Sequence, residues 1–255
     1  MKSLSKIIVC GKQLENIELF IFDKDGTLID VHHYWCAMIR LRAEYLVEKY
    51  VDANSEKARD ELMDAMGIDL EKNRMKPEGP VGIKPRAFII ETAYKTLLKY
   101  SDMATENDVS NSFKLVDGLS IKKLSEMVEP LPGVPEFLIT LKRNRIKMAL
   151  ATTDLTKRAE LALSTIGIEK FFDFVAGADL VNNAKPAPDL VDFITSRLSV
   201  KNENSVVVGD SMVDLNMAKN SGSKFIGVKT GLYNDDFLKE SDFLAETLKD
   251  IGVQQ

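Results

Sequence analysis

Phe20-Ile21-Phe22-Asp23-Lys24-Asp25-Gly26-Thr27-Leu28 sets two acids, one residue apart, directly after an apolar run of strand-forming residues. A strand that stops at Asp-x-Asp-Gly-Thr delivers both carboxylates into a loop at the carboxyl edge of a sheet, where open α/β sheets bind ligands. That arrangement suits phosphoryl transfer, because one acid can attack while the other moves protons. An aspartate nucleophile and a phosphate repel each other, so a Mg²⁺ should bridge them. An oxygen-rich site with few histidines matches that hard ion. Two other readings compete for the same residues. Asp25-Gly26 is a type I′ hairpin signal that would join Leu19–Phe22 to Leu28–Val31. A calcium loop needs its glycine at position six and a glutamate at twelve. Gly26 falls fourth, which discards the calcium reading.

The rest of the chain bears on that choice. At 255 residues, 45% hydrophobic and 29% charged, it can bury a full core in one large or two modest domains. A formal net charge of −5 argues against non-specific nucleic-acid binding, which relies on basic patches. Cys10 and Cys36 form neither a spaced metal pair nor a disulfide framework, and a reducing cytosol fits them. Ile7–Cys10 is too short for a signal-peptide core, and no stretch approaches a membrane span. The expectation is a cytoplasmic protein without nucleic-acid or membrane partners, acting as a monomer or homodimer on a small molecule.

Residues 1–17 read as a short extension whose Ile7–Val9 segment is expected to pair with Leu19–Phe22. Residues 31–130 turn helical and stay so, which breaks a regular βαβ alternation and predicts an inserted helical module, leaving 1–30 and 131–255 as an α/β core. Four helices are expected in the insert. They begin at Tyr34, at Ser55 acting as N-cap, near Pro85, and at a Thr105/Asp108 capping box. After Leu131-Pro132-Gly133, strands at Lys147–Ala151, Phe174–Ala176, Ser205–Val208 and Lys224–Val228 alternate with helices, the mark of a parallel sheet covered on both faces.

The later strands end in residues that phosphoryl chemistry can use. Thr152-Thr153 offers a hydroxyl pair and loop amides for phosphate oxygens, although two β-branched residues also simply finish a strand. Ala184-Lys185-Pro186 sets a cation before a proline that fixes the turn, although a single lysine is usually solvated. Val206-Val207-Val208-Gly209-Asp210-Ser211-Met212-Val213-Asp214 ends a buried run at an acid, with a second acid one helical turn on. The two could complete a metal site, or Asp210 could cap the following helix.

In this order and at these separations the four segments together resemble the haloacid dehalogenase superfamily: DKDGT at 23–27, Thr152, Lys185 and GDSMVD at 209–214. The helical insert after the first motif looks like that family's C1 cap, as in phosphoglycolate phosphatases and β-phosphoglucomutases. The resemblance implies a Rossmann-like parallel sheet with an inserted all-helical cap. It implies Asp23 as nucleophile, Asp25 as acid and base, and Thr152 and Lys185 on the transferring phosphoryl group. Mg²⁺ would be held by Asp23, Asp210 and the Asp25 backbone carbonyl, with Asp214 ordering a metal-bound water or Lys185. Lys24, where an apolar residue is commoner, and Thr153, where asparagine is frequent, depart from the usual wording without removing a function. Gly82-Ile83-Lys84-Pro85-Arg86 looks like the cap's specificity loop, which makes Lys84 and Arg86 candidate contacts to an anionic leaving group.

By this resemblance the chain is a Mg²⁺-dependent phosphatase of a small phosphate ester, most like phosphoglycolate phosphatase. A phosphomutase would use the same two acids and differ by shielding the aspartyl-phosphate from water. A silent binding homologue would usually have lost an acid, and a receiver domain is about half this length. A transition-metal site at His32, His33 and Cys36 lacks a second ligand group, since structural zinc takes four ligands.

Overall fold

The computed structural model describes residues 6–81, 84–232 and 236–254, apart from the Phe237 side chain. The chain divides into two compact units, Met1–Asp30 with Pro130–Gln255 and Val31–Glu129. In chain order β1 (Lys6–Val9), β2 (Lys12–Leu14) and β3 (Leu19–Phe22) come first. The second unit follows with α1 (Val31–Tyr50), α2 (Ser55–Met66), β4 (Ile68–Asp69), β5 (Arg74–Met75), α3 (Arg86–Leu97), α4 (Glu106–Lys122) and α5 (Leu124–Met127). The first unit resumes with α6 (Val134–Arg143), β6 (Lys147–Ala151), α7 (Thr156–Thr165), β7 (Phe174–Ala176) and α8 (Asp189–Leu198). It closes with β8 (Ser205–Gly209), α9 (Met212–Ser221), β9 (Lys224–Val228), β10 (Phe243–Ala245) and β11 (Ile251–Gln254).

The first unit is built on a six-stranded sheet in the order β10-β9-β8-β3-β6-β7, and each pairing in it is parallel. Every residue of β3 and β8 is buried, the near-continuous apolar pattern that a sheet covered on both faces requires. Phe20 and Phe22 stack on one another and meet Phe137 of α6 edge-on, on one face of β3. Leu19 and Ile21 point to the opposite face and join a core with Ala149, Leu190, Ile194, Val207 and Leu215. Burying a side chain of this size is worth roughly 1.5–3 kcal/mol. The register places Phe22 beside Leu150 and Val208, so the loops after β3, β6 and β8 leave the same edge side by side.

The N-terminal strand departs from the expectation. β1 does not pair with Leu19–Phe22; it pairs antiparallel with β2 and with β11, in a separate three-stranded sheet. Both edges of β3 are already taken by β6 and β8, which leaves β1 no place beside it. The hairpin reading of Asp25-Gly26 also fails. Ile29 returns to Asp25 through a single parallel bridge, and Val31 already starts α1.

The second unit is helical apart from the two-residue β4–β5 pair. Thr105 and Asp108 form the expected capping box at the start of α4. Ser55 is the first residue of α2 and not its cap; Asn54 holds the cap position in a left-handed conformation. Met38, Val116 and Met127 form a small core there, with Tyr34 and Trp35 packed on it. Among the described residues, no helix is long and apolar enough to cross a membrane.

Candidate active site

Asp23 is the first residue beyond β3, and its N–H donates to the carbonyl of Val208 at 2.8 Å, which locks the first acid to the neighbouring strand. The chain then turns tightly: the amides of Leu28 and Ile29 both donate to the Lys24 carbonyl at 3.0 Å. Gly26, at φ +84°, is needed for two reasons. Its backbone is left-handed, and a Cβ there would lie 2.5 Å from Asp210 Oδ2. Gly231 presses on the same carboxylate from the other side, where a Cβ would lie 2.1 Å from Oδ2. Thr230 donates its hydroxyl to the Gly26 carbonyl, tying that distant segment to the first loop.

Lys185, from the segment between β7 and α8, reaches this edge with a side chain only 1% exposed. Its ammonium donates to Asp23 Oδ1 at 2.5 Å and to Asp214 Oδ1 at 2.6 Å. Asp214 is engaged on both oxygens, since Oδ2 accepts the N–H and the hydroxyl of Ser211. Ser211, not Asp210, is therefore the N-cap of α9, which frees Asp210 for the site. Asp210 accepts the Thr27 hydroxyl on Oδ1 at 3.2 Å. Asp23, Asp210 and Asp214 each offer a carboxylate oxygen, and these oxygens lie within 4.8 Å of one another. Among the described residues this is the acidic grouping that could hold a metal ion; His32, His33 and Cys36 form none.

Two buried acids and the largely buried Asp23 surround one ammonium, which leaves an excess of two negative charges where little water reaches if all three are ionised. Such charges are costly unless paired or bound to a metal. Burial pushes the Asp23 carboxyl up to about 7, against the pull of Lys185 and with the repulsion of Asp214 and Asp25 added. Burial also pushes Asp210 well above the ordinary aspartate value, helped by the charges of Asp23 and Asp214. For Lys185 burial opposes the charge, but Asp214 and Asp23 more than offset it and hold its pKa above that of an ordinary lysine. The residues present fit a divalent cation: the donors are hard oxygens, and two positive charges would balance the excess.

Asp25 stands apart from the trio. Its carboxylate is 40% exposed and lies 3.0 Å from the Lys24 ammonium. Thr152 is buried, donates its N–H to the Ala176 carbonyl at 3.0 Å and accepts the Asp154 N–H on Oγ1 at 3.1 Å. A hydroxyl that accepts one bond keeps its own proton to donate. Thr153, next in the chain, is exposed. Lys84 and Arg86 belong to the second unit. Lys84 lies over the Phe88 ring at 5.8 Å, and Arg86 donates to Asp117 Oδ2 at 2.6 Å. Gly82 and Ile83 of the same expected loop lie outside the described residues.

Several contacts that shape the site carry no signal that reading by motif recovers, even where one partner lies within a motif. Lys24 and Asp154 are 130 positions apart yet meet at 3.2 Å. Thr27 lies within the DKDGT segment, but its bond to Asp210 and that of Thr230 to the Gly26 carbonyl join residues 183 and 204 positions apart. Ser211 could have been found, because Ser-x-x-Asp is a capping-box spacing.

A family model described as "Hydrolase: haloacid dehalogenase-like hydrolase" matches residues 17–222. The phosphorylated carbohydrates phosphatase of Thermotoga maritima is 28% identical over 230 residues, covering 90% of this chain and 93% of that protein. Pyrophosphatase PpaX of Halalkalibacterium halodurans is 29% identical over 146 residues, covering 52% of this chain and 68% of that one. A crystal structure of a "predicted phosphoglycolate phosphatase" from Haemophilus somnus shares the fold with a TM-score of 0.64 at 19% identity, over 93% of this chain and 97% of its own.

Proposed function

The chain belongs to the haloacid dehalogenase-like hydrolases and is a phosphatase of that family, and from that premise we propose that it hydrolyses a small phosphorylated metabolite, with Mg²⁺, through a phosphate ester formed on Asp23. The observation that carries this reading is the Lys185 ammonium seated between Asp23 and Asp214, with Asp210 in the same cluster. An anionic nucleophile beside a fixed ammonium, in a cluster able to take a divalent ion, gives a phosphoryl group both an attacking oxygen and compensation for its charge.

Asp23 and Asp210 would hold the Mg²⁺ ion, with Asp214 fixing Lys185. When bound, the ion neutralises charge on the phosphoryl oxygens and on the attacking carboxylate. An Asp23 oxygen attacks phosphorus as the ester P–O bond breaks, and Asp25 delivers a proton to the departing oxygen. Asp25 then takes a proton from water as that water attacks the aspartyl-phosphate, releasing inorganic phosphate and restoring Asp23. Lys185 and the Thr152 hydroxyl steady the transferring group. The relatives' names, a pyrophosphatase and a carbohydrate phosphatase, support a small phosphorylated substrate.

The test is inorganic phosphate release from a panel of phosphorylated metabolites, with and without Mg²⁺, by the wild-type protein and by Asp23→Asn. Asp23→Asn is expected to lose at least about 10³-fold in kcat/KM, the cost of removing an acting nucleophile. Normal turnover by that variant would overturn the assignment. Isomerised substrate without phosphate release would identify a mutase instead.

A further inference from the structure

Lys24 is 7% exposed, and an ammonium is rarely placed so deep unless it is held. It is held by two carboxylates, Asp25 Oδ2 at 3.0 Å and Asp154 Oδ2 at 3.2 Å. The two differ in kind. Asp154 is anchored: its N–H donates to Thr152 Oγ1 at 3.1 Å, its Oδ1 accepts the Leu155 N–H at 2.8 Å, and its carbonyl accepts the Ala178 N–H at 3.0 Å. Arg158 stands 3.5 Å from the same Oδ1. Asp25 is 40% exposed, and Lys24 is its ion-pair partner among the described residues. The Lys24 backbone is itself fixed, since its carbonyl closes the turn to Leu28 and Ile29.

We infer that Lys24 and Asp154 are a positioning pair, which holds the Asp25 carboxylate in one orientation for proton transfer and links it to the loop carrying Thr152. The inference rests on the phosphatase reading above, in which Asp25 serves the leaving oxygen. A half-exposed aspartate with no such hold would sample its rotamers freely, and a proton donor works only within hydrogen-bond reach of its acceptor. The ammonium removes that freedom. It draws its own rigidity from Asp154, whose backbone two protein contacts fix and whose carboxylate the Leu155 N–H and Arg158 hold, so the two halves of the site move as one.

A positioning role leaves a mark that a merely structural one does not. Leaving oxygens that depart as stable anions need no proton, and poor ones do. The kcat/KM of Lys24→Met, measured with Mg²⁺ on p-nitrophenyl phosphate, phenyl phosphate and glycerol 2-phosphate, is expected to fall little on the first. It is expected to fall by about 10²-fold on the last, the lower end of what general acid catalysis contributes. Asp154→Asn, which leaves the lysine in place, should show the same gradient at smaller size and guards against a misfolded first variant. In an Asp25→Asn background the Lys24→Met change should cost nothing further, because the lysine acts through that acid. An equal fall on all three esters, or a full additional loss in the Asp25→Asn background, overturns the pair while leaving Asp25 as proton donor. An Asp25→Asn variant with no leaving-group gradient overturns that role as well, and the pair with it.

Discussion

Two charged clusters in this protein are built on opposite principles. In the first unit, Asp23 and Asp214 share the Lys185 ammonium at the end of a parallel sheet, with Asp210 in the same cluster and with Lys185 and Asp214 each 1% exposed. In the second, Asp117 takes Arg42 on one oxygen at 2.9 Å and Arg86 on the other at 2.6 Å, and both guanidiniums lie over the Phe113 ring. Both clusters are unbalanced, but only one is sealed. Asp117 is 36% exposed and Arg86 45%, so water screens the surplus positive charge. The surplus negative charge of the first cluster has no such outlet, and burial drives Asp23 and Asp210 toward their protonated forms. The contrast is the one the proposed function calls for: a divalent cation would relieve the first cluster, whereas the second is relieved by water.

Removing the shared cation should have the largest effect on that contrast. Lys185→Met leaves the acids facing each other, and denaturant unfolding at pH 8 without divalent ions should show a loss of about 3–5 kcal/mol, as when one partner of a buried pair is deleted. A loss under about 1 kcal/mol would mean that water reaches the cluster and screens it.

Proton competition sharpens the same point. Asp23 has an ordinary pKa of 3.8 and a folded one near 7, so between those values the native protein holds a proton that the unfolded chain does not. The cation-free fold should therefore gain stability at this group as pH falls from about 7 toward 4, the reverse of a salt-bridged carboxylate. A divalent ion must displace that proton. Calorimetric Mg²⁺ affinity should weaken as pH drops through 7, with proton release on binding that shows in buffers of different ionisation enthalpy. Affinity unchanged between pH 8 and pH 6 would break this link.

The second cluster should respond more weakly. Arg42→Met removes a guanidinium that is 4% exposed, but Asp117 keeps Arg86, so about 1–2 kcal/mol is expected in thermal or denaturant unfolding. Arg86→Ala should cost under about 1 kcal/mol. With its guanidinium held by Asp117, the same variant should leave KM within about twofold. A tenfold rise in KM would put that arginine on the substrate and collapse the contrast between the regions.

How far the sequence could be read depends on how local each cause is. The strands at Lys147–Ala151 and Lys224–Val228 and the box at Thr105/Asp108 appear where periodicity and capping chemistry put them, because those signals act within a few residues. The pairing of β1 is not legible locally, because its partner β11 comes 242 positions later, from Val9 to Ile251. Nothing in Ile7–Val9 itself distinguishes that partner from β3. Asp25-Gly26 carried a genuine turn signal, yet the turn serves an acid loop, because the flanking strand was already paired on both sides.

By itself the sequence determined which chemistries were available: the acids, the lysine and the hydroxyls, with Asp23, Thr152 and Asp210 each following an apolar run that had to be buried. It also determined the order in which parallel strands would present them, since hydrophobic periodicity and turn chemistry are properties of short segments. Only the tertiary structure decided which charges meet. Lys185 lies between Asp23 and Asp214, Ser211 takes the cap that Asp210 might have taken, and Lys24 spans Asp25 and Asp154. The physical reason is that electrostatic energy depends on separation and burial, and neither exists along an extended chain until the sheet has drawn its loop tips to one edge.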